Sequence, residues 1–167
     1  MQRRPVQWVD VFEHFRSKLN PNTIVHIYKG KSSLLEVVHA GYHAILSDCA
    51  RVYLDYLNVP WTKLYLDDPH EGIDLPEEQK LVLGGQSEMW GETVDGSDLL
   101  NTIWPRAAAY AERLWSPRQL NLTKCALPRL EYFRCLLLHR GIAAAPVTNK
   151  RARNAPPGPP EQGSCLI

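Results

Sequence analysis

Residues 23–47 read TIVHIYKGKSSLLEVVHAGYHAILS, and this stretch decides the fold class. Thr23 to Lys29 is a β-branched run of strand length. Ser33-Leu-Leu-Glu36 has capping-box spacing, in which a serine and a glutamate three residues on satisfy free amide hydrogens at a helix start. Gly41 suits the end of that helix, and Ala44 to Ser47 reads as a second short strand. Strands that alternate with helices predict βα units and a parallel sheet.

The pattern extends in both directions. Trp8 to Leu19 predicts a helix, with Phe12, Phe15 and Leu19 on one face and Pro21 as its stop. Residues 58–79, punctuated by Pro60, Pro69, Gly72 and Pro76, predict a loop with short helical pieces. Leu81-Val-Leu-Gly-Gly85 predicts a third buried strand. Trp104, Ala107, Ala108, Ala111, Leu114 and Trp115 form a helical stripe with Pro105 in its first turn. Leu127 to His139 predicts a last helix closed by Gly141. Residues 1–146 therefore read as one α/β domain, and residues 147–167 as a basic, Pro-rich, unstructured tail. Three strands by themselves leave two open edges.

Composition narrows the function classes. The 167 residues are 44% hydrophobic and 22% charged, with a net charge of +1. That balance excludes wholesale disorder and gives no electrostatic case for nucleic acid or an anionic membrane surface. No uncharged apolar run is long enough to span a bilayer. The length suits one domain but falls short of the roughly 250 residues of a whole (β/α)8 barrel. Met1-Gln-Arg-Arg-Pro5 is basic, but no apolar run follows, so no signal peptide is expected in this chain. Cys49, Cys125, Cys135 and Cys165 fit no zinc spacing and allow three full pairings; Cys49 also reads as a buried free thiol. The six histidines show no ligand spacing, so neither a metal nor a cofactor is expected. Asn121-Leu-Thr123 is a glycosylation sequon, meaningful only in a secretory protein.

The strand ends hold the chemistry. Tyr28 ends the first predicted strand, Tyr53 and Asp55 follow the second, and Trp90 and Glu92 follow the third. Aromatic faces stack on the apolar face of a sugar ring, and carboxylates accept hydrogen bonds from its hydroxyls. The same residues also read as core aromatics and solvated carboxylates. Asp67-Asp68 and Glu77-Glu78 read as a solvated acidic face. Arg106, Glu112 and Arg113 read as partners in structural ion pairs.

Several motifs in order add a family resemblance. Trp8-Val-Asp-Val-Phe12, Thr23 to Lys29, Ile45-Leu-Ser47, Tyr53-Leu-Asp55, Gly84-Gly-Gln-Ser-Glu-Met-Trp-Gly-Glu92, Trp104-Pro-Arg-Ala107, Ala111-Glu-Arg-Leu-Trp-Ser116 and Arg140-Gly-Ile-Ala143 resemble family 20 glycoside hydrolases, the β-N-acetylhexosaminidases. The resemblance covers residues 6 to 146 and implies the C-terminal portion of a TIM barrel, about strands five to eight. It implies that Trp8 and Trp90 wall the pocket for the sugar's N-acetyl group. Tyr28 stands where the family usually has a third tryptophan. Tyr53 is implied to hydrogen-bond the acetamido carbonyl, and Asp55 and Glu92 to hold sugar hydroxyls. Cys135 fits a family disulfide, with Cys165 as its late partner.

The family's mechanism is substrate-assisted: the substrate's own acetamido oxygen attacks the anomeric carbon. It uses an Asp-Glu pair in a His-x-Gly-Gly-Asp-Glu motif, and this chain contains no Asp-Glu dipeptide. The chain is therefore expected to be inactive by itself. It is implied to act on N-acetylhexosamine-containing glycans, in a lysosomal or secreted setting, with the missing barrel half or a second copy as partner. The alternative is a non-catalytic sugar- or partner-binding half-barrel.

Overall fold

The computed structural model describes residues 3–148, and these divide into two compact units. The first comprises residues 3–53 and 68–88; the second comprises residues 54–67 and 89–148.

The first unit holds a four-stranded, all-parallel sheet in the order β1-β2-β3-β4. Its strands are β1 (Val6–Trp8), β2 (Ile24–Ile27), β3 (His43–Leu46) and β4 (Val82–Gly85). The expected helix from Trp8 starts one residue later, as α1 (Val9–Phe15), followed by a 3-10 turn over Arg16–Lys18. Val6, Gln7 and Trp8 instead pair with Ile24, Val25 and His26. Three residues are too few to show a strand's period, so only the partner strand reveals them.

The predicted βα unit is present, and its helix α2 spans Lys31–His39. The capping box does not form: Gly30 occupies the cap position, and the helix begins two residues before Ser33. Tertiary contacts set that start, because Lys31 Nζ donates to the Asp68 carbonyl at 2.7 Å and pairs with the Glu71 carboxylate. The other end follows expectation. Gly41 adopts φ +82°, and the amides of Gly41 and Tyr42 donate to the carbonyls of Val38 and Val37 at 2.9 and 3.2 Å. This is a Schellman closure, which a residue with a Cβ adopts only at a cost.

Val25, Ile27, Ala44 and Leu46 point into a core completed by Val9, Phe12, Leu34, Val37, Val38, Tyr42, Ile73 and Val82. Near-continuous burial along β2 is what a parallel strand covered on both faces requires. A register shift between Ala44 and Ile45 leaves Leu83 unpaired against β3 and half exposed. Gly84 follows at φ +142°, where side chains are strained, and the chain leaves β4 toward Gln86 and Glu88. Two short helices, α3 (Cys49–Val52) and α5 (Pro76–Gln79), complete this unit.

The second unit is helical, with α4 (Trp61–Leu66), α6 (Leu99–Ile103), α7 (Arg106–Trp115) and α8 (Thr123–His139). Tyr65, Ala109, Ala126, Leu130 and Val147 form its core. Helix α7 does not bury its predicted stripe: Ala109, Tyr110 and Arg113 face inward, while Trp115 is 90% exposed. Helix α8 begins four residues before Leu127 and contains Pro128, whose missing amide forfeits one intrahelical bond. Asp67 is also not part of a solvated face, because it is fully buried. Val147 lies in the core, and the remainder of the expected tail, from residue 149, falls outside the described residues.

Leu46 is fully buried at the C-terminal end of β3. Leu46→Ala is expected to lower the unfolding free energy by roughly 2–5 kcal/mol in a urea titration. An unchanged midpoint contradicts this packing.

Candidate functional site

Parallel strands bring their C-terminal ends to one edge, and the first unit's candidate residues lie there. Trp8 ends β1 and is 39% exposed. Tyr28 follows β2, half-buried, and its ring meets the Trp8 indole edge-on at 5.7 Å between centroids. The Tyr28 hydroxyl donates to Asp10 Oδ1 at 3.1 Å, and Lys29 Nζ lies 2.8 Å from the same oxygen. That ammonium hydrogen bond holds the Asp10 carboxyl below the usual range, while desolvation and the Asp10 charge push the Tyr28 phenol up.

Tyr53 is set by the segment before it. Asp48 accepts from the Ala50 amide at 3.0 Å and caps the single turn of α3, so that Tyr53 leaves that turn in an extended conformation.

Sequence reasoning missed a cluster beside Trp8. The His26 ring stacks on the Trp8 indole, with centroids 4.3 Å apart and planes 14° from parallel. His26 Nε2 lies 3.4 Å from Glu88 Oε1 but makes no hydrogen bond among the described residues, and that oxygen accepts from Ser47 Oγ at 3.0 Å. Gln86 Nε2 donates to the other Glu88 oxygen at 3.2 Å. Burial pushes the His26 imidazole below its ordinary value, against the opposing pull of Glu88. A signal was available: a histidine inside a β-branched run, buried with its neighbours, needs a polar partner.

In the second unit Asp55 lies on the loop before α4. One of its oxygens, Oδ1, is buried and has no hydrogen-bond partner among the described residues. Arg106 fixes that loop. Its guanidinium donates to the carbonyls of Tyr56 at 3.0 Å and Val59 at 3.1 Å, and also to that of Leu54. It returns to its own helix entry through the Thr102 carbonyl at 2.7 and 3.1 Å. Burial pushes the Arg106 pKa down and the Asp55 carboxylate opposes the shift. The expected ion pair is thus mainly a clamp on carbonyls. Glu112 does pair with Arg129, and Arg113 donates to the Arg118 carbonyl at 3.0 Å. Trp90, 41% exposed, and Glu92, also exposed, lie on the irregular segment between β4 and α6.

Cys49 and Cys125 are free thiols, and Cys135 is disulfide-bonded; Cys165 lies outside the described residues. Asn121 is exposed between α7 and α8.

A parallel βα sheet with aromatic and carboxylate residues after its strands is the arrangement of part of an α/β barrel. Residues 1–118 match "Glycosyl hydrolase family 20, catalytic domain", and the chain belongs to this family. It is 48% identical over 165 residues to Beta-hexosaminidase 1 of Arabidopsis thaliana, covering 96% of this chain and 30% of that protein. It is 38% identical over 151 residues to Beta-hexosaminidase subunit alpha of Bos taurus, covering 86% of this chain and 28% of that protein. The chain thus spans about 30% of the length of these curated relatives. Its backbone superposes on the Flavobacterium johnsoniae chitobiase with a TM-score of 0.75 and 32% identity, over 84% of this chain and 22% of that one. The family 20 β-N-acetylhexosaminidase of Streptomyces coelicolor shares the fold, with a TM-score of 0.70 and 22% identity, over 92% of this chain and 34% of that one.

Replacing Arg106 removes a donor from the Leu54, Tyr56 and Val59 carbonyls, of which Tyr56 keeps the Val59 amide at 3.0 Å. Arg106→Lys is expected to cost about 2 kcal/mol or more, and to speed amide exchange in residues 54–59. Exchange at the wild-type rate contradicts the clamp.

Proposed function

We propose that the chain is the substrate-holding part of a β-N-acetylhexosaminidase, corresponding to about strands five to eight of its barrel and to the C-terminal part of the catalytic domain. Membership of family 20 carries the proposal. Trp8, Tyr28 and Trp90 line the N-acetyl pocket, Tyr53 orients the acetamide, and Asp55 and Glu92 accept from sugar hydroxyls. The buried, unpartnered Asp55 Oδ1 supports its part, since such an acceptor is costly unless a donor meets it.

The acid that protonates the leaving group comes from another segment, because no Asp-Glu dipeptide is present in this sequence. The ligands are N-acetylhexosamine-containing glycans. The remaining barrel strands, or a second copy, cover the edges of β1 and β4. The setting is lysosomal or secreted, consistent with a Cys135–Cys165 bridge and a glycan on Asn121.

The test has two arms on the chain as it stands. With a chromogenic N-acetyl-β-glucosaminide, no turnover is expected. In calorimetry, N-acetylglucosamine is expected to bind, at least about tenfold more weakly in Asp55→Asn, which loses a charged acceptor. Turnover that disappears in Glu92→Gln overturns the missing acid. Absence of sugar binding overturns the substrate-holding role.

A further inference from the structure

Glu88 is a carboxylate that the family site does not explain. Its side chain is only 13% exposed, and that of His26 beside it only 9%. Withdrawing a carboxylate from water is costly, so such groups survive where the surroundings supply donors. Here the donors come from two places in the sheet, Ser47 after β3 and Gln86 after β4, while the His26 imidazole of β2 lies 3.4 Å from Glu88 Oε1 with its Nε2 making no hydrogen bond among the described residues. Gly84, with its positive φ beside the shifted register, directs the chain that delivers Glu88 to this point.

The arrangement has a direction. Glu88 faces the edge of the imidazole at Nε2, and the flat of the same ring lies against the Trp8 indole. A carboxylate charge 3.4 Å from Nε2 favours the tautomer with the proton on that nitrogen and biases the ring's rotation electrostatically, without a hydrogen bond between them. The stacked indole lies only 14° from parallel to that ring, with centroids 4.3 Å apart. Tyr28 meets the indole edge-on, with centroids 5.7 Å apart. Glu88 is the charged group whose field acts on His26 among the described residues.

We propose that Glu88 is a positioning residue. Through His26 it holds the Trp8 indole in one orientation, and with it the apolar wall offered to the sugar. The link to sugar rests on the function proposed above; the link between Glu88, His26 and Trp8 does not.

The experiment compares the full chain with Glu88→Ala, with Glu88→Gln (which keeps the shape and one acceptor oxygen but not the charge) and with Ser47→Ala. Nuclear magnetic resonance follows the His26 ring nitrogens through a pH titration and the proton contacts between His26 and Trp8. Calorimetry with N-acetylglucosamine follows binding.

In Glu88→Ala, His26 is expected to lose its Nε2-protonated preference and titrate lower than in the wild type. Its contacts to Trp8 should weaken, and sugar affinity should fall at least fivefold. Glu88→Gln should also titrate lower, since the charge is gone, while keeping more of the stack. Ser47→Ala should leave the stack in place.

A His26 tautomer, titration and stack unchanged in both Glu88 variants overturn the proposal. If Glu88→Ala fails to fold, Glu88→Gln decides it by the same readouts. A stack that loosens while the wild type binds no sugar supports the positioning role and sinks the sugar site.

Discussion

Parallel strand pairing is the constraint on which the candidate site depends. Parallel strands require long crossovers, so each strand is followed by helix or loop and every C-terminal end reaches the same edge. Trp8, Tyr28, Ser47 and Gln86 all leave the sheet at that edge, from β1, β2, β3 and β4 in turn. The apolar strand interiors hold the register, because slipping one residue exchanges the buried and exposed sets. Val25 and Ile27 fix β2 from within, and His26 emerges between them on the opposite face, against Trp8 and Glu88.

The second unit solves a different problem. The loop with Asp55 contains Leu54, Tyr56 and Val59, whose carbonyls cannot pair in a sheet or helix. Arg106, at the start of α7, supplies one planar cation with donors on several sides. Lysine lacks that fork, so the choice of arginine follows from the number and spread of carbonyls it meets. A rigid loop lets a carboxylate keep one buried oxygen free of protein donors, as Asp55 does among the described residues.

Much of the sheet was legible. β2 and β4 fall within the β-branched and apolar runs, β3 lies one residue earlier than the expected Ala44 to Ser47, and Gly41 closes α2 as its position suggested. β1 was not legible, since three residues show no period and each pairs with a residue eighteen positions on. Ser33 misled because Lys31 finds Asp68 and Glu71, contacts that no local window contains. The α7 stripe misled because Arg113 turns inward to serve the Arg118 carbonyl, which a hydropathy pattern counts as polar and outside. The strand-end aromatics were legible as residue types. Their meaning came from the order of motifs, and the His26–Glu88–Ser47 cluster came only from the fold.

The most direct test of the account is to map N-acetylglucosamine onto the chain by amide and side-chain chemical-shift changes. The account predicts shifts at Trp8, Tyr28, Tyr53, Asp55, Trp90 and Glu92 that saturate together at one affinity. Shifts confined to α7 and α8, or none at saturating sugar, contradict it.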